Sequence, residues 1–288
     1  MTDYKAIFGK KIKFQTSDLT MSSATEGELF YSSSGTDFKV GVNIEAWASG
    51  GNLPTATKNI RGCGLQTAAL SFGGATPPGP PYAVVETYEY DGSSWTDGGD
   101  LSQNNESMGT AGTQTAGLCF GGEAPPGVTA RTEEYNGTSW STNPNDMNTA
   151  RKALAGAGTQ TAGLGFGGYT PGSSPSYASV TNEYDGSSWT AGGSLNTGRD
   201  QTSGAGLQTA ALCFTGGESA PNVSARTEAY DGTSWSAKPS LATARKSAGG
   251  CGTKAAALSF GGYVPPPPET AATEEFSGTV TLKTVTDS

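Results

Sequence analysis

Three arginines, Arg151, Arg199 and Arg245, stand at one position of a repeat. An arginine cluster beside a Tyr–Glu pair is what sialidase-type glycoside chemistry requires. A simpler account competes with it. A residue that returns in three copies serves the repeat itself, anchoring a strand to a neighbouring backbone or to a carboxylate such as Glu134 or Glu183. Thr57 and Asn105 hold the same position in the first two copies, so a ring of charge would be incomplete. The cysteines are a second candidate. Cys119 and Cys213 occupy a position held elsewhere by Ser71, Gly165 and Ser259, and read as buried small residues. Cys63 and Cys251 are equivalent, each nine residues before the Phe of its repeat. They fall on neighbouring units if five units close a ring. Whether they pair stays open, although synthesis in a cytoplasm favours free thiols. No pair has CxxC spacing and the chain has no histidine. That removes the commonest general base and a frequent metal ligand, and with them copper-oxidase and zinc chemistry. The "DGSS" turns are too short and too poor in carboxylates for a calcium loop. "NES", "NGT" and "NVS" match the glycosylation triplet by chance in a Ser/Thr-rich chain. The expectation is no enzyme, no metal and no cofactor.

Composition narrows the partners. Of 288 residues, 15% are charged, 34% are hydrophobic and 43 are glycine. The net charge of −9 argues against a phosphate-binding surface, so no nucleic-acid partner is expected. No apolar run reaches the length of a membrane span. The N-terminal "MTDYKAIFGKKIKF" lacks the apolar core of a secretion signal. Synthesis and folding in a cytoplasm are expected, with no membrane insertion.

The elements that position these residues come from a repeat. "GLQTAALSFGG" begins at Gly64 and returns at Gly112, Gly158, Gly206 and Gly252, at spacings of 48, 46, 48 and 46. Eleven residues before each start stands an apolar residue: Leu53, Leu101, Met147, Leu195 or Leu241. After each Gly pair comes a Pro-bearing loop. Then comes a Thr-x-x-aromatic strand: Thr87 to Tyr90, Thr132 to Tyr135, Thr181 to Tyr184, Thr227 to Tyr230, Thr273 to Phe276. Asp-Gly or Asn-Gly follows, a pair whose central residues suit the positive φ of hairpin turns. A Trp closes four units, as Trp95, Trp140, Trp189 and Trp235. Trp47 precedes Trp95 by the same period. Each unit thus reads as four short strands, A to D, with B in "TAALSF", C in "TYEY" and D carrying the Trp. A four-stranded unit of about 47 residues, five times over, predicts an all-β propeller.

Strand side chains alternate between faces. In strand B one face is Ala, Leu and Phe, ending in Phe72, Phe120, Phe166, Phe214 and Phe260. The other face is small: Thr67, Ala69 and Ser71, or Thr161, Gly163 and Gly165. A bulky face set into the next unit's small face fills the narrowing wedge between sheets. The Trp row is a possible sugar-stacking platform, but its fixed strand position reads better as a structural aromatic.

Residues 1–46 lack the repeat and form a separate N-terminal region. "GELFYSSSGTDFKV" reads as a hairpin with "SSSGTD" as its turn. The propeller is expected over 47–288. Two closures satisfy the count. In one, the "IEAW" strand completes a fifth blade; in the other, the N-terminal strands make a sixth. About five blades is the expectation. The B–C and D–A loops share one end of the blades and vary in length. They hold most of the prolines, with Tyr82, Tyr169, Tyr177 and Tyr263, which marks a candidate recognition face.

The paired glycines ending strand B, the aromatic before a tight turn and the Trp beyond resemble the kelch repeat over 47 to about 280. The resemblance implies a propeller and leaves function open, since kelch propellers serve as adaptors, lectins and oxidases. "ATEGELFYSSSGTDFKV", followed by "GGNLPTATK", is similar to the start of bacteriophage virion proteins with kelch-like repeats. That resemblance implies a tail fibre, or a capsid or tail decoration, attached through the N-terminal region to other virion proteins and oligomeric on the particle. Its partner would be a host-surface glycan or protein. A lectin-type propeller and an intracellular kelch adaptor are the alternatives.

Overall fold

The computed structural model describes residues 4–7, 10–15, 29–32, 37–40, 50–76, 83–219, 222–265 and 269–277. The chain divides into Met1–Ser49 and Gly50–Ser288. In the first unit, Tyr4–Ile7, Lys10–Gln15, Leu29–Ser32 and Asp37–Val40 form one sheet in chain order. The expected hairpin is present, paired from Leu29↔Val40 to Ser32↔Asp37. Ser32 and Asp37 belong to the strands, so the connecting turn is shorter than "SSSGTD". Lys10–Gln15 runs parallel to Leu29–Ser32.

The second unit is all-β, with no helix among its described residues. It is a five-bladed propeller. Blade 1 consists of Arg61–Leu65, Ala68–Phe72, Thr87–Tyr90 and Trp95–Asp97. Blade 2 consists of Gly109–Thr113, Ala116–Phe120, Thr132–Tyr135 and Trp140–Asn143. Blade 3 is Ala155–Gly158, Gly163–Phe166, Thr181–Tyr184 and Trp189–Ala191. Blade 4 is Ser203–Leu207, Ala210–Phe214, Thr227–Tyr230 and Trp235–Lys238. Blade 5 shows Gly249–Gly252, Ala256–Phe260 and Thr273–Ser277 as strands A to C. Every pairing within a blade is antiparallel. The parallel pairing in the first unit is foreign to that pattern, so those strands do not make a sixth blade. "IEAW" and Trp47 lie outside the described residues.

The bulky-into-small packing predicted for strand B is present. Leu70, Phe72, Leu118, Phe120, Leu164, Phe166, Leu212 and Phe214 are buried. A Cβ placed on Gly117 would come within 2.8 Å of Leu70 Cδ2 in the preceding blade. One on Gly163 would meet Leu118 Cδ2 at 2.6 Å, and one on Gly165 would meet Phe120 Cε2 at 2.7 Å. Three of these Phe also receive the next blade's indole edge-on: Phe72–Trp140 at 4.7 Å, Phe120–Trp189 at 4.8 Å and Phe166–Trp235 at 4.9 Å between centroids. The indole N–H then donates back to the Thr that opens strand C, as Trp140 to Thr87 at 2.9 Å and Trp189 to Thr132 at 2.8 Å. Trp235 does the same to Thr181 at 2.9 Å. Trp140, Trp189 and Trp235 thus satisfy their N–H inside a seam between blades. Phe260 departs from the row. It is 41% exposed and lines the axial cavity.

The C–D turns differ from the sequence reading in one respect. Only the glycines, Gly92, Gly137, Gly186 and Gly232, take positive φ. The preceding Asp or Asn instead accepts two backbone amides with its side chain, as Asp185 Oδ1 does from Ser187 N at 2.8 Å and Ser188 N at 2.7 Å. A four-residue loop needs only one left-handed residue when an Asx side chain closes it.

Candidate recognition face and axial cavity

Antiparallel blades put the A–B and C–D turns at one end and the B–C and D–A loops at the other. The second end surrounds an open cavity of about 860 Å³ on the propeller axis, lined by residues of all five blades. Its rim is built from equivalent positions. Asn59, Ser107, Ala153, Gln201 and Ser247 all have φ between 49° and 58°, a left-handed backbone in non-glycine residues. Such strain persists only where surrounding structure enforces it. Here the enforcement is a chain of hydrogen bonds between blades: Ala153 N to Ser107 O at 2.8 Å, Gln201 N to Ala153 O at 2.7 Å and Ser247 N to Gln201 O at 3.0 Å. One residue earlier stand Lys58, Glu106, Lys152, Asp200 and Lys246, alternating in sign. Four pair through their backbone with the residue after a Gly pair, Ala75, Glu123, Tyr169 or Tyr263, and Asp200 pairs with Gly217, the second glycine of its pair.

These pairings bring two of the predicted tyrosines to the rim. Tyr169 lines the cavity and meets Tyr177 edge-on, with centroids 5.9 Å apart. Tyr263 lies on blade 5, with Lys246 Nζ 5.7 Å from its ring centre. Tyr82 lies outside the described residues. Lys152 Nζ contacts Glu123 Oε2 at 2.5 Å, and Asn59 Nδ2 donates to Glu106 Oε2 at 2.7 Å. Burial raises the Asp200 carboxyl above its ordinary value, while Lys246 and Lys152 oppose the shift. The rim therefore offers aromatic faces, carboxylates and ammonium groups around one opening.

The arginines are elsewhere. Arg151, Arg199 and Arg245 are fully buried within blades 3, 4 and 5. Arg199 pairs with Glu228 at 3.0 Å and Arg245 pairs with Glu274. Glu134 and Glu183, the partners expected for them, do something different. Glu134 accepts from the Tyr184 hydroxyl, and Glu183 from Tyr230 at 2.5 Å; Glu89 accepts from Tyr135 at 2.6 Å. These residues alternate with the arginine-facing positions along strand C, so they face the next blade and not their own arginine. Where the fifth blade carries Phe276 in place of Tyr, blade 4 carries Ala229 in place of Glu, and the two pack together.

One clasp escaped the sequence reading. Gln114 Nε2 donates to Ala69 O at 3.1 Å and Tyr90 O at 2.7 Å in the preceding blade. Gln160 and Gln208 repeat this, and Lys254 reaches Tyr230 O at 2.8 Å. The signal was the Gln that returns in four of the five copies, in "TQTA" and "LQTA". All four cysteines are free thiols. Cys119 and Cys213 are buried, as expected; Cys63 is half-buried, with burial pushing its thiol up to about 12.

Fold and rim together define a five-bladed β-propeller with one variable, tyrosine-bearing end and one uniform end. No known protein family matches the chain, and no curated protein matches it.

Proposed function

We propose that this protein is a non-enzymatic kelch-type propeller that serves as an exposed appendage of a bacteriophage particle and contacts the host surface. The observation that carries the recognition half is the contrast between the two ends. The uniform end repeats one Asx-closed turn. The other end varies in loop length, with Tyr169 lining the axial opening, Tyr177 against its ring and Tyr263 beside Lys246. Tyrosine supplies contact area and a hydroxyl at low entropic cost. The virion half rests on the resemblance of residues 24–40 and 50–58 to the start of phage virion proteins. The buried state of all three arginines supports a structural role for them over a sialidase-like one.

Mass spectrometry of purified particles tests the virion half; absence of the protein from them ends it. A host-adsorption assay with two multiple mutants tests the recognition half. Changing Tyr169, Tyr177 and Tyr263 to Ser abolishes adsorption. Changing Ser93, Thr138 and Ser187, at the uniform end, to Lys leaves it intact. The reverse result assigns the wrong end. A lectin outside any virion is the second reading, favoured by Tyr169 and the carboxylates of Glu106, Glu123 and Asp200 lining one cavity. Retention of the isolated protein on a glycan array, with none in particles, selects it.

A further inference from the structure

In blades 4 and 5, the residue that ends the D–A loop and the second residue of strand C meet beside strand B. Blade 4 shows the pair in full. Arg199 Nη2 approaches Cys213 O at 3.5 Å and Glu228 Oε1 at 3.0 Å, and Glu228 pairs in register with Cys213. Blade 5 repeats it with Arg245 and Glu274. Blade 3 keeps the arginine and loses the acid. Arg151 Nη2 donates to Gly165 O at 3.1 Å, and the residue in register with Gly165 is Asn182. Both Arg151 and Asn182 are 0% exposed. Arg151 Nε and Nη1, like those of Arg199, have no hydrogen-bond partner among the described residues; what sets blade 3 apart is that both polar atoms of the Asn182 amide lack one too and no carboxylate among those residues pairs with the guanidinium. A buried cation without a counter-charge is among the costliest arrangements a fold can hold. A neutral amide beside it cannot supply that charge, whereas its N–H₂ can donate to one.

We propose that blade 3 holds a small monovalent anion of chloride size, bound by the Arg151 guanidinium and the Asn182 amide. The anion takes the place that the Glu228 and Glu274 carboxylates fill in the next two blades. Blade 4 serves as an internal control, because Glu228 already neutralises Arg199. Burial alone lowers the Arg151 pKa, to about 10, so the guanidinium stays charged at neutral pH and no nearby carboxylate opposes the shift.

The test is thermal unfolding of the full chain in sodium chloride and in sodium gluconate at equal ionic strength. Wild type gains about 3–5 °C in Tm for each tenfold rise in chloride above its dissociation constant. Asn182→Glu, which copies blade 4, loses the chloride dependence and melts higher than wild type in gluconate. Arg151→Asn, which copies Asn105 of blade 2, also loses the dependence, and carries the test should Asn182→Glu fail to fold. A bromide soak of wild-type crystals places an anomalous peak beside Arg151 and none beside Arg199. A wild-type Tm that is equal in the two salts overturns the proposal, and assigns the place to water. So does a chloride dependence that survives in the folded variants.

Discussion

Gly163 is where the seam between blades 2 and 3 faces a buried leucine at close range. A Cβ there sits 2.6 Å from Leu118 Cδ2. Carbon atoms rest at about 3.5–4.0 Å, so a single methyl group already intrudes by about 1 Å. Leu118 is 0% exposed, with Tyr184 and Trp189 in the same cluster. Gly163→Leu adds three further carbons. Overpacking of this kind costs about 1–3 kcal/mol, and this site belongs at the upper end. For a unit of this size that lowers Tm by about 6–12 °C. Leu118→Ala alone costs about 2–5 kcal/mol through lost contacts and a cavity. The double variant is more informative. The new Leu can enter the volume that Leu118 vacates, so the combined loss falls below the sum by about 1–3 kcal/mol. Guanidinium titrations followed by far-UV circular dichroism and Trp fluorescence measure all four corners of the cycle. Additivity within about 0.5 kcal/mol, or a wild-type Tm for Gly163→Leu, refutes the bulky-into-small account of the seam.

The inter-blade Tyr–Glu pairs predict alkaline behaviour. Burial, then the hydrogen bonds to Glu89 and Glu183, pushes the Tyr135 and Tyr230 hydroxyls up to about 12. Their contribution is complete below the ordinary value near 10 and is lost as pH rises through about 12. Tyr135→Phe and Tyr230→Phe therefore flatten the fall in stability between these limits, seen by denaturant titration, and each costs about 1 kcal/mol at neutral pH. The same code leaves Tyr90 in want of an acid and Glu275 in want of a hydroxyl. A double-mutant cycle of Tyr90→Phe and Glu275→Ala yields a favourable coupling of about 0.5–1 kcal/mol, and strict additivity denies that these blades close on each other. In the turns, the amides of Ser94 and Ser188 and the neighbouring hydroxyls hold the Asp91 and Asp185 carboxyls at about 2. Carbon-detected NMR titration finds both midpoints well below the ordinary value near 3.9, and the turns lose this support only as pH falls through about 2. Gln160→Ala strands Gly117 O and Tyr135 O and lowers stability by about 1–3 kcal/mol, read as an earlier denaturation midpoint at unchanged slope.

The fold was legible in the sequence because its signals are local. The spacing of the Gly pairs, the alternation within "TAALSF" and the Asp-Gly turns each reside within a dozen residues. They mark the strands and their faces, and leave the closure open between five and six blades. The seam role of Phe72, Phe120 and Phe166, and of Trp140, Trp189 and Trp235, was readable from repetition. The same cues marked the Pro-bearing, tyrosine-rich loops as one end of the propeller. What joins one blade to the next was not legible, because the partners lie 24–57 residues apart and meet only when sheets stack around an axis. Sequence pairing put Glu134 and Glu183 with arginines; the pleat aims them at Tyr184 and Tyr230. The Gln clasp, the left-handed rim at Asn59, Ser107, Ala153, Gln201 and Ser247, and the lone buried charge of Arg151 likewise exist only in three dimensions. Each depends on which backbone group a neighbouring blade presents, and that is set by the stacking of the blades and not by any one strand.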